Sequence, residues 1–169
     1  MLWEFDISGF NLEISAVDIN SLILDILEDL QYMVTYKNVK IEFIKSSPPA
    51  LVEGDSKKLR ASIFSIIDNA IRYSPDGTVK ISVENIASGI DIFVKDSGVG
   101  IDAEDLPYVF ERLYRGKAAL ELEPNETGVG LYTAKKIIEL HHGQINIASI
   151  KGQGTTVTIS LPNKQNKNE

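Results

Sequence analysis

The sequence predicts an α+β fold, a layer of helices on one face of a mixed, largely antiparallel sheet. Three observations predict it. Strand-like alternation recurs in pairs joined by short glycine turns, at Ala87-Ser88-Gly89 and at Lys151-Gly152-Gln153-Gly154, as hairpins require. Helical periodicity occupies three other stretches. The two patterns do not alternate strictly, which favours segregated layers. The 169 residues suffice for one core, and 43% hydrophobic with 24% charged residues is an ordinary globular balance.

The elements follow in order. "FNLEISAV" alternates and reads as a strand. Asp18 stands where a helix N-cap belongs, ahead of "INSLILDILEDLQYMVTY", whose Leu22, Ile26, Leu30 and Met33 form an apolar stripe. "VKIEFIK" is the next strand, broken by "SSPP", and "ALVEG" is a brief extended piece. Asp55 opens a second helix, "SKKLRASIFSIIDNAIRYS", stopped by Ser74-Pro75-Asp76-Gly77. "TVKISVEN" and "GIDIFVKD" make the first hairpin. "DAEDLPYVFERLYRG" leads into "KAALELEPNETG", a long loop of weak periodicity that reads as either a functional lid or a disordered segment. "VGLYTAKKIIELHH" is the third helix, ended by Gly143, and "QINIASI" with "TTVTISLP" closes the sheet.

Composition excludes several classes. A formal net charge of -7 argues against general nucleic-acid binding, which rests on neutralising phosphates. It leaves room for a small anion held by backbone amides. The absence of cysteine removes disulfides and thiolate zinc sites, and fits an intracellular setting. No apolar run is long enough to span a bilayer, and "MLWEFDISGF" lacks the features of a signal peptide.

Candidate chemistry lies in three places. On the second helix, Leu59, Ile63, Ile66, Ile67 and Ala70 mark the core face, while Ser62, Ser65, Asn69, Arg72 and Tyr73 share another. Asn69 is either a capping or solvent residue, or a hard oxygen ligand for magnesium; Arg72 is either an exposed charge or a phosphate contact. In "GIDIFVKD", Asp96 shares the apolar face of Ile90, Ile92 and Val94, so it points inward at the sheet edge. Its own loop amides could satisfy it, or the exocyclic amine of a base such as adenine. Gly98 and Gly100 follow, but no GxGxxG pattern or phosphate loop is completed. In "ETGVGLYTAKK", Gly128 and Gly130 open a helix N-terminus suited to an anion, with Thr127 as the expected cap and an ordinary capped helix as the alternative. Arg112, Arg115 and Lys117 flank the loop.

These stretches, in this order, resemble the catalytic and ATP-binding domain of bacterial sensor histidine kinases, within the gyrase, Hsp90, histidine kinase and MutL ATPase superfamily. "IDNAIRYSP" resembles the N box, "DSGVGI" the first glycine box, "VFERLYRG" the phenylalanine box and "TGVGLYTAKKIIELHHG" the second glycine box; "GQGTTVTISLP" resembles the closing hairpin. The resemblance runs from about Phe10 to Leu161. It implies a Bergerat-type two-layer α/β sandwich with three main helices on one face of the sheet.

It also implies roles. Asn69 would hold Mg2+, Asp96 would accept from the adenine amine, Gly98 and Gly100 would shape the base pocket, and Ile101 would join the nucleotide-binding set. Gly128 and Gly130 would hold phosphates, Thr127, Val129 and Leu131 beside them would belong to the nucleotide-binding set, Tyr73 would flank the nucleotide, and Phe110 would tether a lid at 113–127. Arg115 would be a lid-side arginine near the terminal phosphate and Arg72 the basic residue after the N box, completing a catalytic set with Asn69. Two positions depart from the family pattern: Ser65 where Asn is usual, and His142 where Gly is usual. The implied function is phosphoryl donation from MgATP to a histidine on an absent dimerisation and phosphotransfer domain, with a response regulator downstream. The alternatives are an anti-sigma-type serine kinase and a degenerate docking module. The expected organisation is a residual linker at 1–10, the catalytic domain at 11–162 and a disordered tail at 163–169, in a monomer without nucleic-acid or membrane contact. The expected location is cytoplasmic, on a parent that can be membrane-anchored.

Overall fold

The computed structural model describes residues 11–163; the expected linker at 1–10 and all but the first residue of the expected tail lie outside it. Seven strands and five α-helices are present among the described residues. Strands β1 (Ile14–Asp18) and β3 (Leu51–Asp55) pair antiparallel in a small two-stranded sheet. The other strands, β2 (Lys40–Ile44), β4 (Thr78–Ile86), β5 (Gly89–Asp96), β6 (Gln144–Ile150) and β7 (Gly154–Pro162), form a five-stranded sheet in the order β2-β4-β5-β7-β6. Only its β2–β4 pair is parallel. The expected mixed, largely antiparallel sheet is observed, with "ALVEG" assigned to the separate small one.

Both acid caps act as expected. Asp18 accepts from the Asn20 and Ser21 amides and starts α1 (Ile19–Asp29); Asp55 accepts from the Lys58 amide at 3.0 Å and starts α3 (Ser56–Arg72). The first helix is not continuous to Tyr36. Leu30, with φ -87 and ψ 0, separates α1 from a short α2 (Gln31–Tyr36). The break keeps Leu30 buried while Met33 and Val34 still pack on the core. The loop after Gly116 also differs from expectation, since it contains α4 (Lys117–Leu122). The last helix, α5, runs Gly130–Leu140, and β1 begins at Ile14 rather than Phe10.

The core lies between the helices and one face of the five-stranded sheet. Val79, Ile81 and Val83 of β4, Ile90, Ile92 and Val94 of β5, and Val157, Ile159 and Leu161 of β7 are buried there. From α3 they meet Leu59, Ile63, Ile66, Ile67, Ala70 and Ile71, the face that helical spacing predicts plus Ile71. Each fully buried isoleucine contributes about 1.5–3 kcal/mol. The Ser62 hydroxyl, buried, donates to the Ala134 carbonyl at 3.0 Å and brings α3 and α5 close together.

Both histidines lie at the end of α5, and each has a structural explanation. His142 has φ 57; its amide bonds the Glu139 carbonyl and the Gly143 amide bonds that of Ile138, so the left-handed residue of a Schellman turn is a histidine. That accounts for the glycine usual at this position. His141 is fully buried, its Nδ1 donating to the Ile137 carbonyl at 2.7 Å and its Nε2 accepting from the Asp55 amide at 3.0 Å.

Candidate functional site

Asp96 is the last residue of β5, on the helix-facing side, paired with Val79 and Thr155. It is 8% exposed. Its Oδ1 accepts from the Gly98 amide at 2.9 Å and the Thr155 amide at 3.2 Å. The loop amides anticipated by the plainer reading are thus engaged, both on one oxygen, and the buried Ser74 hydroxyl also acts on the carboxyl. Burial pushes the carboxyl above its ordinary value, and the Gly98 amide, the Ser74 hydroxyl and the Thr155 amide offset part of that rise.

The glycines after Asp96 permit close backbone approach. A Cβ at Gly98 would lie 2.1 Å from the Tyr73 carbonyl oxygen; one at Gly100, where φ is +68, would lie 2.1 Å from that of Ile150. The loop is therefore pressed against the end of α3 on one side and the β6–β7 turn on the other. The Ile101 amide donates to Ser149 Oγ at 2.8 Å, which fixes where the loop leaves the sheet.

A cavity of about 300 Å³ opens beside these groups. Asn69, Tyr73, Asp96, Gly100, Ile101, Arg115, Thr127, Gly128, Val129, Gly130 and Leu131 all line it, so most of the predicted set shares one space. Ser65, the departure from the family pattern, also lines it, and an added Cβ at Gly130 would lie 3.8 Å from its Oγ. Burial raises the Tyr73 hydroxyl above its ordinary value, and the nearby Arg115 cation offsets part of the rise.

Thr127 does not cap α5. Val129 holds the N-cap position and no side chain bonds the first-turn amides, while Gly128 has φ +73. The helix therefore presents uncapped donors and its positive dipole end to the cavity, which suits phosphate oxygens.

Three predicted residues stand elsewhere or are engaged. Gly98 is outside the cavity lining. Arg72 is too: it bonds Asp68 at 2.7 Å through Nε and pairs with Glu126 at 3.3 Å and Glu123 at 3.7 Å through NH1. Arg115 lines the cavity, but its guanidinium donates to the carbonyls of Ala119 (2.8 Å), Glu123 and Pro124 (3.2 Å), holding the C-terminal end of α4.

The expected lid at 113–127 is closed at its root by the Leu113 amide, which donates to the Gly128 carbonyl at 3.0 Å. Its N-terminal arm is fixed by Asp105, which accepts from the Tyr114 hydroxyl and the Lys117 amide. Phe110 packs against the core with Lys135 Nζ 5.3 Å from its ring centroid. Thr155, absent from the predicted set, supplies the second amide on Asp96. Its signal was Gly154, with φ +105, where an added Cβ would lie 2.0 Å from the Asp96 carbonyl oxygen.

The donor set suits a nucleotide with its metal. The Asp96 carboxyl lines one part, uncapped amides line another, and Asn69 offers one amide oxygen. No cluster of three His, Cys, Asp or Glu able to hold a metal exists among the described residues. A metal here would take most of its ligands from phosphates and solvent, as magnesium does.

A model of the family described as histidine kinase-, DNA gyrase B-, and HSP90-like ATPase matches residues 54–165. The sensor histidine kinase WalK of Bacillus subtilis is 38% identical over 166 residues, covering 95% of this chain and 26% of its own length. The sensor-like histidine kinase SenX3 of Mycolicibacterium smegmatis is 35% identical, covering 89% of this chain and 39% of its own. The chain thus spans well under half of these curated relatives. Among solved structures, the mycobacterial sensor histidine kinase MprB superposes with a TM-score of 0.77 at 26% identity, over 90% of this chain and 99% of that one. The catalytic domain of histidine kinase ThkA gives 0.80 at 22% identity, over 90% and 97%, a likeness of fold.

Proposed function

The chain belongs to the histidine kinase-, DNA gyrase B- and HSP90-like ATPase family, and from that premise we propose that it binds MgATP and donates the terminal phosphoryl group to a histidine on a separate dimerisation and phosphotransfer domain. A response regulator would then receive the group, as two-component signalling requires. The observation that carries this reading is one cavity walled by Asp96, Asn69 and the uncapped start of α5.

The Asp96 carboxylate accepts from the base amine, a contact that selects adenine over bases lacking a donor there. Tyr73 flanks the base. The amides at the start of α5 hold phosphate oxygens, and Asn69 contributes one oxygen to the metal. Arg72 and Arg115 meet the charge of the terminal phosphate once the lid rearranges. When bound, ATP supplies the transferable group and Mg2+ neutralises its charge, so the protein acts mainly by positioning and electrostatics.

The acceptor lies outside this chain's described fold. The chain has two histidines. Both ring nitrogens of His141 are hydrogen-bonded in the interior, and His142 is exposed and does not line the cavity.

Calorimetric titration tests the site. Asp96→Asn should abolish measurable nucleotide binding, and Asn69→Ala should remove its dependence on Mg2+. Radiolabelled ATP, with a separate phosphotransfer domain added, tests the reaction: label should reach that domain in an acid-labile form. An acid-stable product would instead indicate a serine kinase, and absence of nucleotide binding in the wild type would indicate a docking module.

A further inference from the structure

Lys37 lies at the C-cap of α2, far in sequence from every box that the resemblance uses. Its Nζ pairs with Glu123 Oε1 on the lid, and Arg72 NH1 lies 3.7 Å from the other oxygen of the same carboxylate. Lys37 and Glu123 side chains are each only 16% exposed, so the pair is largely shielded from solvent. Glu126, a second lid acid, lies 3.3 Å from the same Arg72 nitrogen and lines the cavity. Two cations from the body of the domain thus converge on acids carried by the lid. A carboxylate between two cations occupies the place that a phosphate oxygen would take on the same pair.

We propose that Lys37 is a second phosphate-binding cation beside Arg72, and that Glu123 occupies this cation pair as an internal stand-in which the nucleotide's terminal phosphate displaces. This rests on the ATP reading of the cavity. The exchange is between like partners: Lys37 and Arg72 keep an anion throughout, and Glu123 passes to solvent as the lid loosens. Binding of the base end, at Asp96, leaves the pair untouched. The device therefore makes lid release depend on the phosphates and not on the base.

The test uses this chain with Glu123→Gln and Lys37→Met. Amide hydrogen exchange across 117–127, without nucleotide, should be faster in both variants, because both break the pair. In titrations, Glu123→Gln should raise MgATP affinity about three- to tenfold, the range expected for losing one shielded ion pair. Lys37→Met should lower MgATP affinity below that of the wild type, since it removes the latch and the phosphate contact together. Adenosine affinity should not change in either. Unaltered exchange in both variants would overturn the latch. A Lys37→Met protein that binds MgATP as tightly as Glu123→Gln would overturn the phosphate role of Lys37, and a parallel change for adenosine would overturn phosphate specificity. A wild type that binds no nucleotide would defeat the ATP reading instead, with the exchange measurement still deciding the latch.

Discussion

Asp96 is held under opposing demands. A ligand amine needs its ionised oxygen, while the interior disfavours that charge and raises its pKa from the ordinary 3.8. A carboxyl raised on folding contributes stability below its unfolded value and loses that contribution as pH rises through the folded one. At neutral pH, Asp96 therefore burdens the fold. Asp96→Asn keeps an oxygen for the Gly98 and Thr155 amides and removes the charge. It should raise the melting temperature at pH 7, by about 2–4 °C for each kcal/mol recovered, while nucleotide binding disappears. Scanning calorimetry at pH 7 checks this; a lower melting temperature would mean that the fold itself needs the charge.

The two ends of α5 show what an element's sequence does and does not reveal. At its start, Thr127 is a reasonable cap by composition, yet Val129 takes that position and the amides stay open. At its end, the left-handed residue is His142, with φ 57, at a cost of about 1–2 kcal/mol relative to a residue without a Cβ. His142→Gly should stabilise the domain by about 0.5–1 kcal/mol after glycine's greater unfolded-state entropy is set against it. Urea unfolding reads this directly. The longer elements were legible because Asp18 and Asp55 cap them and their apolar stripes repeat over several turns. Helix α4 was not, because six residues are too few for periodicity and the helix depends on tertiary contacts. Ala118 and Ala119 face the cavity, and Arg115 binds the carbonyls at its end. Nothing local in "KAALEL" encodes those partners.

Across the whole molecule, acid should unfold the domain in stages. Burial holds His141 below its ordinary value of 6.5, and its Nε2 must stay unprotonated to accept from the Asp55 amide. A group depressed on folding contributes stability above its unfolded pKa and loses it as pH falls through the folded one. Stability should therefore decline as pH drops below about 6.5, and the urea midpoint of His141→Gln should be flatter over that window. Asp55 is also depressed, by the Lys58 and Glu13 amides and the Lys58 side chain acting against burial, so a further loss should follow below 3.8. The convergence of the site was legible only through the order of the boxes: Asn69, Asp96 and 127–131 are far apart in sequence, and the β5–β7 pairing with the α3–α5 contact brings them onto one cavity. The engagement of Arg72 and Arg115 was not legible, because a long cation's partner is decided by whichever carboxylate or carbonyl the fold places within reach. The join between the Leu113 amide and the Gly128 carbonyl has a practical corollary. The intervening segment is a closed loop on a fixed stem, and lengthening such a loop costs little more than a logarithm of its size. A fluorophore or short insert between Pro124 and Glu126, both exposed, could report opening without disturbing the sheet beneath.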